Sequence, residues 1–428
     1  MERIDANPTQ AGGKRTVSHA TIARASLKDN VAAGYALQIA YYVIPLLTVP
    51  YLVLSLGTEA YGQLIYAQVI MMFAVLLVDA GIDTVSSKEL TNKALSDPKI
   101  GLRFLATVLL KTASALFVLI IIGIYDQLCG QSTQLLLINF LMVLGSIAFP
   151  AWLFQGLEVI RYTLFCGVLG RLISALLIVI LVQSSDDLHL AAGLQAGATL
   201  CSGLLALYVL HRRFSIRWRI PFGQIWKEAL ITVKQTRSLF AGEFVERACA
   251  ISPVFILGLF APVAAVGVYG AIEKFIRAAH SLVQPLQRAL FPQLCRSWRS
   301  EPTAAMNSLK QRLKMLLLVT LVGCIGCYFG AEFILTTIYG NAWATHAWIL
   351  QGLGLWLIFA VLSTFAGING LVAANRQQTY TRVILVTATI QLSMASLGAA
   401  LAQTEGMIIA LIFSELVRFY LFIHLLKR

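Results

Sequence analysis

The sequence predicts an all-α integral membrane protein of about twelve transmembrane helices, and three observations carry that reading. Hydrophobic residues make up 58% of the chain and charged ones only 12%, with a mean hydropathy of +0.78. A soluble domain carries roughly 25% charged residues. Apolar windows long enough to cross a bilayer recur along most of the 428 residues, which leaves no room for a large extramembrane domain. The basic residues, finally, fall into alternate loops.

In the first half the spans are Val31–Leu56, Leu64–Gly81, Phe104–Ile124, Gln134–Phe154, Tyr162–Val182 and Leu190–Leu210. In the second they are Leu239–Phe260, Val266–Leu290, Met315–Ile338, Trp348–Leu371, Val383–Ala402 and Met407–Leu426. The chain thereby divides into an N-terminal tail (1–30), an N-lobe of six spans (31–210), a basic linker (211–238) and a C-lobe of six spans (239–428). The tail has no apolar core, so the first span is expected to act as a signal anchor that stays in the protein.

Loops on one side (1–29, 82–103, 155–161, 211–238, 291–314, 372–382 and the C-terminus) hold 26 of the 33 Lys and Arg residues. Loops on the other side (57–63, 125–133, 183–189, 261–265, 339–347 and 403–406) hold none. Cytoplasmic loops retain basic residues, so both termini are predicted to be cytoplasmic. The net charge of +13 is then a topological signal. Its dispersal over short juxtamembrane loops speaks against nucleic acid as a partner.

The linker carries seven basic residues with Pro221 and Gly223, and its stretch Ile225–Val233 is amphipathic. An interfacial helix is expected there. Such a helix serves either as an anchor on anionic lipid or as a surface for a partner. Six of the seven cysteines lie in spans or on the cytoplasmic side, and only Cys129 faces outward. Cys324 and Cys327 have metal-site spacing but sit in an apolar helix without a second ligand pair. No disulfide, metal or cofactor is expected.

A weak internal echo accompanies the two lobes. Val53-Leu54-Ser55-Leu56-Gly57 leads to Tyr61-Gly62, and Ile256-Leu257-Gly258-Leu259-Phe260 leads to Tyr269-Gly270. Parallel repeats of this kind place substrate sites at their interface. Asn30, Pro45, Pro50-Tyr51, Leu56-Gly57, Tyr61-Gly62 and Asp79-Ala80-Gly81 open the chain, and Phe149-Pro150-Ala151-Trp152-Leu153-Phe154-Gln155-Gly156-Leu157-Glu158 ends span four. Together these resemble the polysaccharide transport family of Wzx-type O-antigen and lipid-linked oligosaccharide flippases. That family is a branch of the superfamily that also holds multidrug and lipid II exporters.

The resemblance implies two lobes around a central cavity with alternating access. It implies transfer of undecaprenyl-diphosphate-linked oligosaccharide repeat units from the cytoplasmic to the periplasmic leaflet of a bacterial inner membrane, driven by an ion gradient. Membrane lipids, a polysaccharide polymerase and a chain-length regulator are the partners it implies. It also places the cavity wall mainly on spans one, two, seven and eight, which favours Arg247, Lys274 and Arg277 as cargo contacts.

An anionic head needs cations shielded from lipid. Lys111, Arg171, Arg247, Lys274, Arg277, Arg288 and Arg418 are the basic residues inside spans. Lys111, Arg171 and Arg247 each stand about eight residues from the cytoplasmic end, roughly 12 Å deep. Arg288 and Arg418 are close enough to helix ends to snorkel. Lys111, Arg171, Arg247, Lys274 and Arg277 are therefore the candidate substrate-binding residues. Glu243 with Arg247, Glu273 with Arg277, and Glu415 with Arg418 have the spacing of intrahelical ion pairs, so pairing and cargo contact both stay open for these arginines. Lys111, Arg171 and Lys274 have no acidic neighbour three or four positions away; they pair across helices or meet an anion.

Glu273, Arg277, His280, Gln284 and Arg288 form one stripe of span eight, as a cavity wall would. Glu243, Glu246 and Glu273 are the ion-coupling candidates, since buried carboxylates can carry protons; the alternative is that they only neutralise arginines. Asp79 and Glu158, beside glycines at span ends, together with Trp152 and Gln155, are candidate gate or structural residues. Trp152 and Phe154 fit either an interfacial belt or sugar stacking.

An enzyme reading is disfavoured, because a membrane glycosyltransferase or polymerase needs a larger outer loop. The nucleotide-cradling Gly-rich loop is also absent from the sequence. The competing reading is a cation exporter of the same superfamily or another secondary transporter. A cation exporter should present acidic residues without matching bases in its central cavity.

Overall fold

The computed structural model describes residues 27–91, 93, 97–129, 133–214 and 219–427, with side chains from 43 onward except at 128–129, 238–243 and 427. Regular structure among these residues is helical throughout: α1 (Leu27–Asp79), α2 (Ile82–Leu90), α3 (Lys99–Cys129), α4 (Gln134–Asn139), α5 (Leu141–Ala148), α6 (Ala151–Gly156), α7 (Ile160–Leu181), α8 (Leu188–Arg213), α9 (Phe222–Phe260), α10 (Val263–Ser281), α11 (Val283–Ser300), α12 (Pro302–Tyr339), α13 (Ala347–Phe365) and α14 (Gln377–Lys427). Eight helical segments among the described residues are long and apolar enough to cross a membrane. The chain is a multi-pass membrane protein. Lipid-facing surfaces are correspondingly greasy, as at Leu116, Phe117 and Ile120 of α3 and Phe329 and Phe333 of α12.

Several predicted loops are sharper than their sequence suggests. Spans one and two are limbs of α1 that meet at a kink on Gly57 (φ 80°, ψ 167°), a backbone conformation that costs glycine least. Spans eleven and twelve are likewise limbs of α14, broken at Ala402 and Gln403. There the backbones meet so closely that a Cβ on Gly406 would lie 2.0 Å from the Gly398 carbonyl oxygen.

Other predicted continuities are broken. Span four divides into α4, α5 and α6, the last break falling at Pro150, which has no N–H to donate. Span eight ends at Ser281, and α11 begins after Leu282. Conversely, the linker helix and span seven are one helix, α9, of 39 residues.

The halves of the chain meet where α1 packs against α10. Leu64 and Ile65 of α1 share one apolar cluster with Ile272 and Ile276 of α10. Glycine permits this closeness. A Cβ on Gly62 would stand 2.1 Å from the Val263 carbonyl oxygen, and one on Gly267 2.2 Å from that of Thr58. Further contacts join α9 to α2 and α3.

Candidate functional site

A cavity of about 240 Å³ lies among α1, α5, α7, α8 and α10, and its lining includes Thr48, Gln68, Arg171, Ser174, Gln195 and Lys274. Among the described residues the lining holds two cations and no carboxylate. Arg171 arrives on α7 from the first half of the chain and Lys274 on α10 from the second. Lys274 Nζ stands 5.7 Å from the centre of the Tyr61 ring, where the ring face favours a cation. Arg171 donates to the Gly167 carbonyl oxygen at 3.4 Å. Gln68 Nε2 donates to Gln195 Oε1 across the cavity. Thr48 and Ser174 donate their hydroxyl protons to the backbone carbonyls of Ile44 (3.1 Å) and Leu194 (2.7 Å). The cavity can hold an anion by charge and a polar group by its amides.

The other candidate cations sit elsewhere. Lys111 is 1% exposed and its Nζ lies 2.7 Å from a carboxylate oxygen of both Asp79 and Asp83. Its partners thus come from neighbouring helices, one of the two alternatives open to a lysine with no acid on its own helix face. Burial pushes the Asp83 carboxyl up to about 6, with Asp79 acting in the same direction and Lys111 against it. Asp79 thus pairs with Lys111 just before the left-handed turn at Ala80 and Gly81.

Arg277 donates to Glu273 at 2.6 Å and to the Ala250 carbonyl oxygen. It lines a second cavity, inside the second half of the chain, with Glu246, Glu273, His280, Glu415 and Arg418. There Arg418 reaches Glu415 (2.6 Å), Thr387 (3.1 Å) and Gln391 (3.3 Å), and Ser363 donates to Glu415 at 2.6 Å. The predicted stripe therefore contributes Glu273, Arg277 and His280 to this cavity; Gln284 and Arg288 lie beyond the break at Leu282. Arg247 is exposed and lines neither cavity. The Glu243 side chain falls outside the described residues.

Trp152 and Phe154 are 4% and 0% exposed inside an apolar cluster with Leu90, Phe104 and Leu210. Neither forms an interfacial belt or a stacking surface, because α6 tucks its aromatic face onto α2 and α7. Gln155 and Glu158 are exposed on the same turn, and Glu158 adopts a left-handed backbone (φ 60°).

From the sequence Arg103 reads as an ordinary loop cation. In the structure it is 3% exposed and donates to Ser86 (3.2 Å), Glu228 (2.9 Å) and Gln235 (3.1 Å). Gln235 in turn donates to Glu89 at 3.0 Å. This network fastens the first part of α9 to α2 and α3. Gln68 and Gln195 were also missed, although a glutamine inside an apolar span is itself a signal.

The sequence model of polysaccharide biosynthesis proteins matches residues 27–298, well over half of the chain. The chain belongs to the polysaccharide biosynthesis protein family. One relative of this family member is a protein of Escherichia coli (strain K12) provisionally named an O-antigen transporter, 25% identical over 91% of this chain and 94% of the relative. A Shigella dysenteriae protein of the same provisional name is 22% identical over 91% of this chain and 98% of its own. Among solved structures, lipid II flippase MurJ in an inward closed conformation aligns with a TM-score of 0.69 at 12% identity, covering 94% of this chain and 88% of MurJ. An inward-facing multidrug resistance MATE family transporter of the MOP superfamily aligns at 0.68 and 11% identity, covering 92% and 98%. The family member thus shares the fold of membrane transporters.

Proposed function

We propose that the chain is a flippase for lipid-linked oligosaccharide: it moves undecaprenyl-diphosphate-linked repeat units of an O-antigen or exopolysaccharide from the cytoplasmic to the periplasmic leaflet of the bacterial inner membrane. The observation that carries this reading is that Arg171 and, from the second half of the chain, Lys274 line one cavity of the first half with no carboxylate among its described lining residues. A half-buried site with two cations attracts an anionic headgroup, because a dielectric lower than that of water strengthens the interaction. The relatives named as O-antigen transporters and the shared fold of a lipid II flippase support the same cargo class. Both termini are cytoplasmic in this reading, and 31–210 and 239–428 act as lobes whose rocking exposes the cavity to either side in turn.

Coupling falls to the second cavity. Glu246 and Glu273 line it together with Glu415, giving three carboxylates to the two guanidiniums of Arg277 and Arg418. A proton or a small cation taken up among these carboxylates on one side can be released on the other. A polymerase and a chain-length regulator receive the product in this scheme. The experiment that tests the cargo is deletion followed by mass spectrometry of lipid extracts. Accumulation of complete lipid-linked repeat units is expected; their absence points to a different cargo.

A further inference from the structure

A third cavity, of about 400 Å³, opens between the start of α3 and the segment leading into α9, and its lining includes Lys99, Leu102, Arg219, Pro221 and Gln224. It offers two cations and a neutral amide. The neighbouring carboxylate of Asp97 is engaged by the Lys99 backbone N–H at 2.8 Å. Among the described residues neither Lys99 nor Arg219 is in an ion pair.

The helix that begins beside this cavity has two unlike faces. Ala229, Thr232 and Thr236 of α9 are buried against the protein, and Glu228 and Gln235 are fastened to Arg103. On the opposite side Phe222 stacks on Trp226 at 6.4 Å, and Phe222, Trp226, Leu230 and Val233 are 65%, 52%, 48% and 49% exposed. Their spacing puts them on one stripe. An uncovered apolar strip leading away from a cationic cavity has the two-part chemistry of a phospholipid: an anionic head at one end and acyl chains along the strip. Basic pockets at the cytoplasmic boundary of membrane helices take such heads.

We propose that the Lys99–Arg219 cavity is a binding site for the headgroup of an anionic phospholipid of the cytoplasmic leaflet, with the acyl chains lying on Phe222 and Trp226. The site rests on the cytoplasmic placement of these helix starts and is independent of the cargo. Its consequence is mechanical. Because α9 is continuous from Phe222 to Phe260, a lipid held at its start positions the helix that carries Glu246 into the second cavity.

The test uses full-length protein in nanodiscs and the fluorescence of Trp226, isolated from that of the other tryptophans by subtracting a Trp226→Phe variant. Brominated phosphatidylglycerol is expected to quench Trp226 at far lower mole fraction than brominated phosphatidylcholine. The double variant K99Q/R219Q is expected to lose that preference roughly thirtyfold, the effect of removing two juxtamembrane cations. Melting temperature in phosphatidylcholine alone confirms that the double variant is folded. Equal quenching by the two lipids in the wild type, or a preference unchanged in K99Q/R219Q, overturns the proposal. Loss of the preference on adding millimolar inorganic phosphate also overturns it, since the site then binds the free anion.

Discussion

Arg171 and Lys274 are 103 positions apart, on α7 and α10, yet both line one cavity whose described lining residues include no carboxylate. If this pair holds the anionic head, Arg171→Ala and Lys274→Ala should each stop surface polysaccharide export while normal amounts of protein remain in the membrane. Arg171→Lys should retain part of the activity, since it keeps the charge and loses only the planar fork of donors. Export measured by gel analysis of surface polysaccharide, set against protein level by immunoblot, checks this.

Lys111 should behave differently. Removing it strands Asp79 and Asp83, so Lys111→Met is expected to destabilise the protein by about 3 kcal/mol, the lower end of the range for breaking a buried pair. Neutralising the acids as well, in D79N/D83N/K111M, should recover most of that loss. Thermal unfolding of the purified variants reads the difference; a triple variant no more stable than the single one contradicts an ion-pair role.

Arg103 makes a related prediction about the linker. Arg103→Ala should release the start of α9 from Glu228, Gln235 and Ser86 and raise backbone hydrogen exchange over 222–237 while leaving α12 unchanged. Exchange confined to the termini would show that the network does not hold α9.

The glycine contact between α1 and α10 reports on opening. Gly267→Leu should wedge Thr58 away, because even one Cβ there meets a carbonyl oxygen at 2.2 Å. In a cysteine-free background, Ser174→Cys in the cavity should then become more reactive toward an impermeant thiol reagent added from outside. Unchanged labelling would place the seal elsewhere.

Coupling can be tested separately from binding. The double substitution E246Q/E273Q is expected to abolish the dependence of export on the ion gradient, since it removes two of the three carboxylates around Arg277 and Arg418. Gradient dependence that persists in this variant rules these acids out.

The sequence made the helical membrane class legible because hydropathy and charge segregation act over tens of residues and tolerate local error. It was poorer at breaks. Gly57 and Ala402–Gln403 turn the chain inside predicted loops with almost no irregular backbone, and Pro150 and Leu282 interrupt spans that hydropathy reads as unbroken. Among site residues, intrahelical spacing offered pairing as one of two alternatives for Arg277 and Arg418, and the Glu273–Arg277 and Glu415–Arg418 bridges, which are local, are present. Which cations face each other is a long-range matter. Nothing within three or four residues of Lys111 shows that Asp79 and Asp83 will reach it, or that Arg171 will share a cavity with Lys274. Arg103 was hidden for the same reason: its partner Glu228 is 125 positions away.

The central claim is tested most directly by reconstitution. Purified protein in liposomes, given undecaprenyl-diphosphate-linked oligosaccharide in one leaflet, should transfer it to the other, as read by lectin or glycosidase access from outside. Wild-type protein should accelerate transfer and R171A/K274A should fall to the protein-free rate. Equal transfer by the double variant, or none by the wild type with a gradient imposed, would contradict the account.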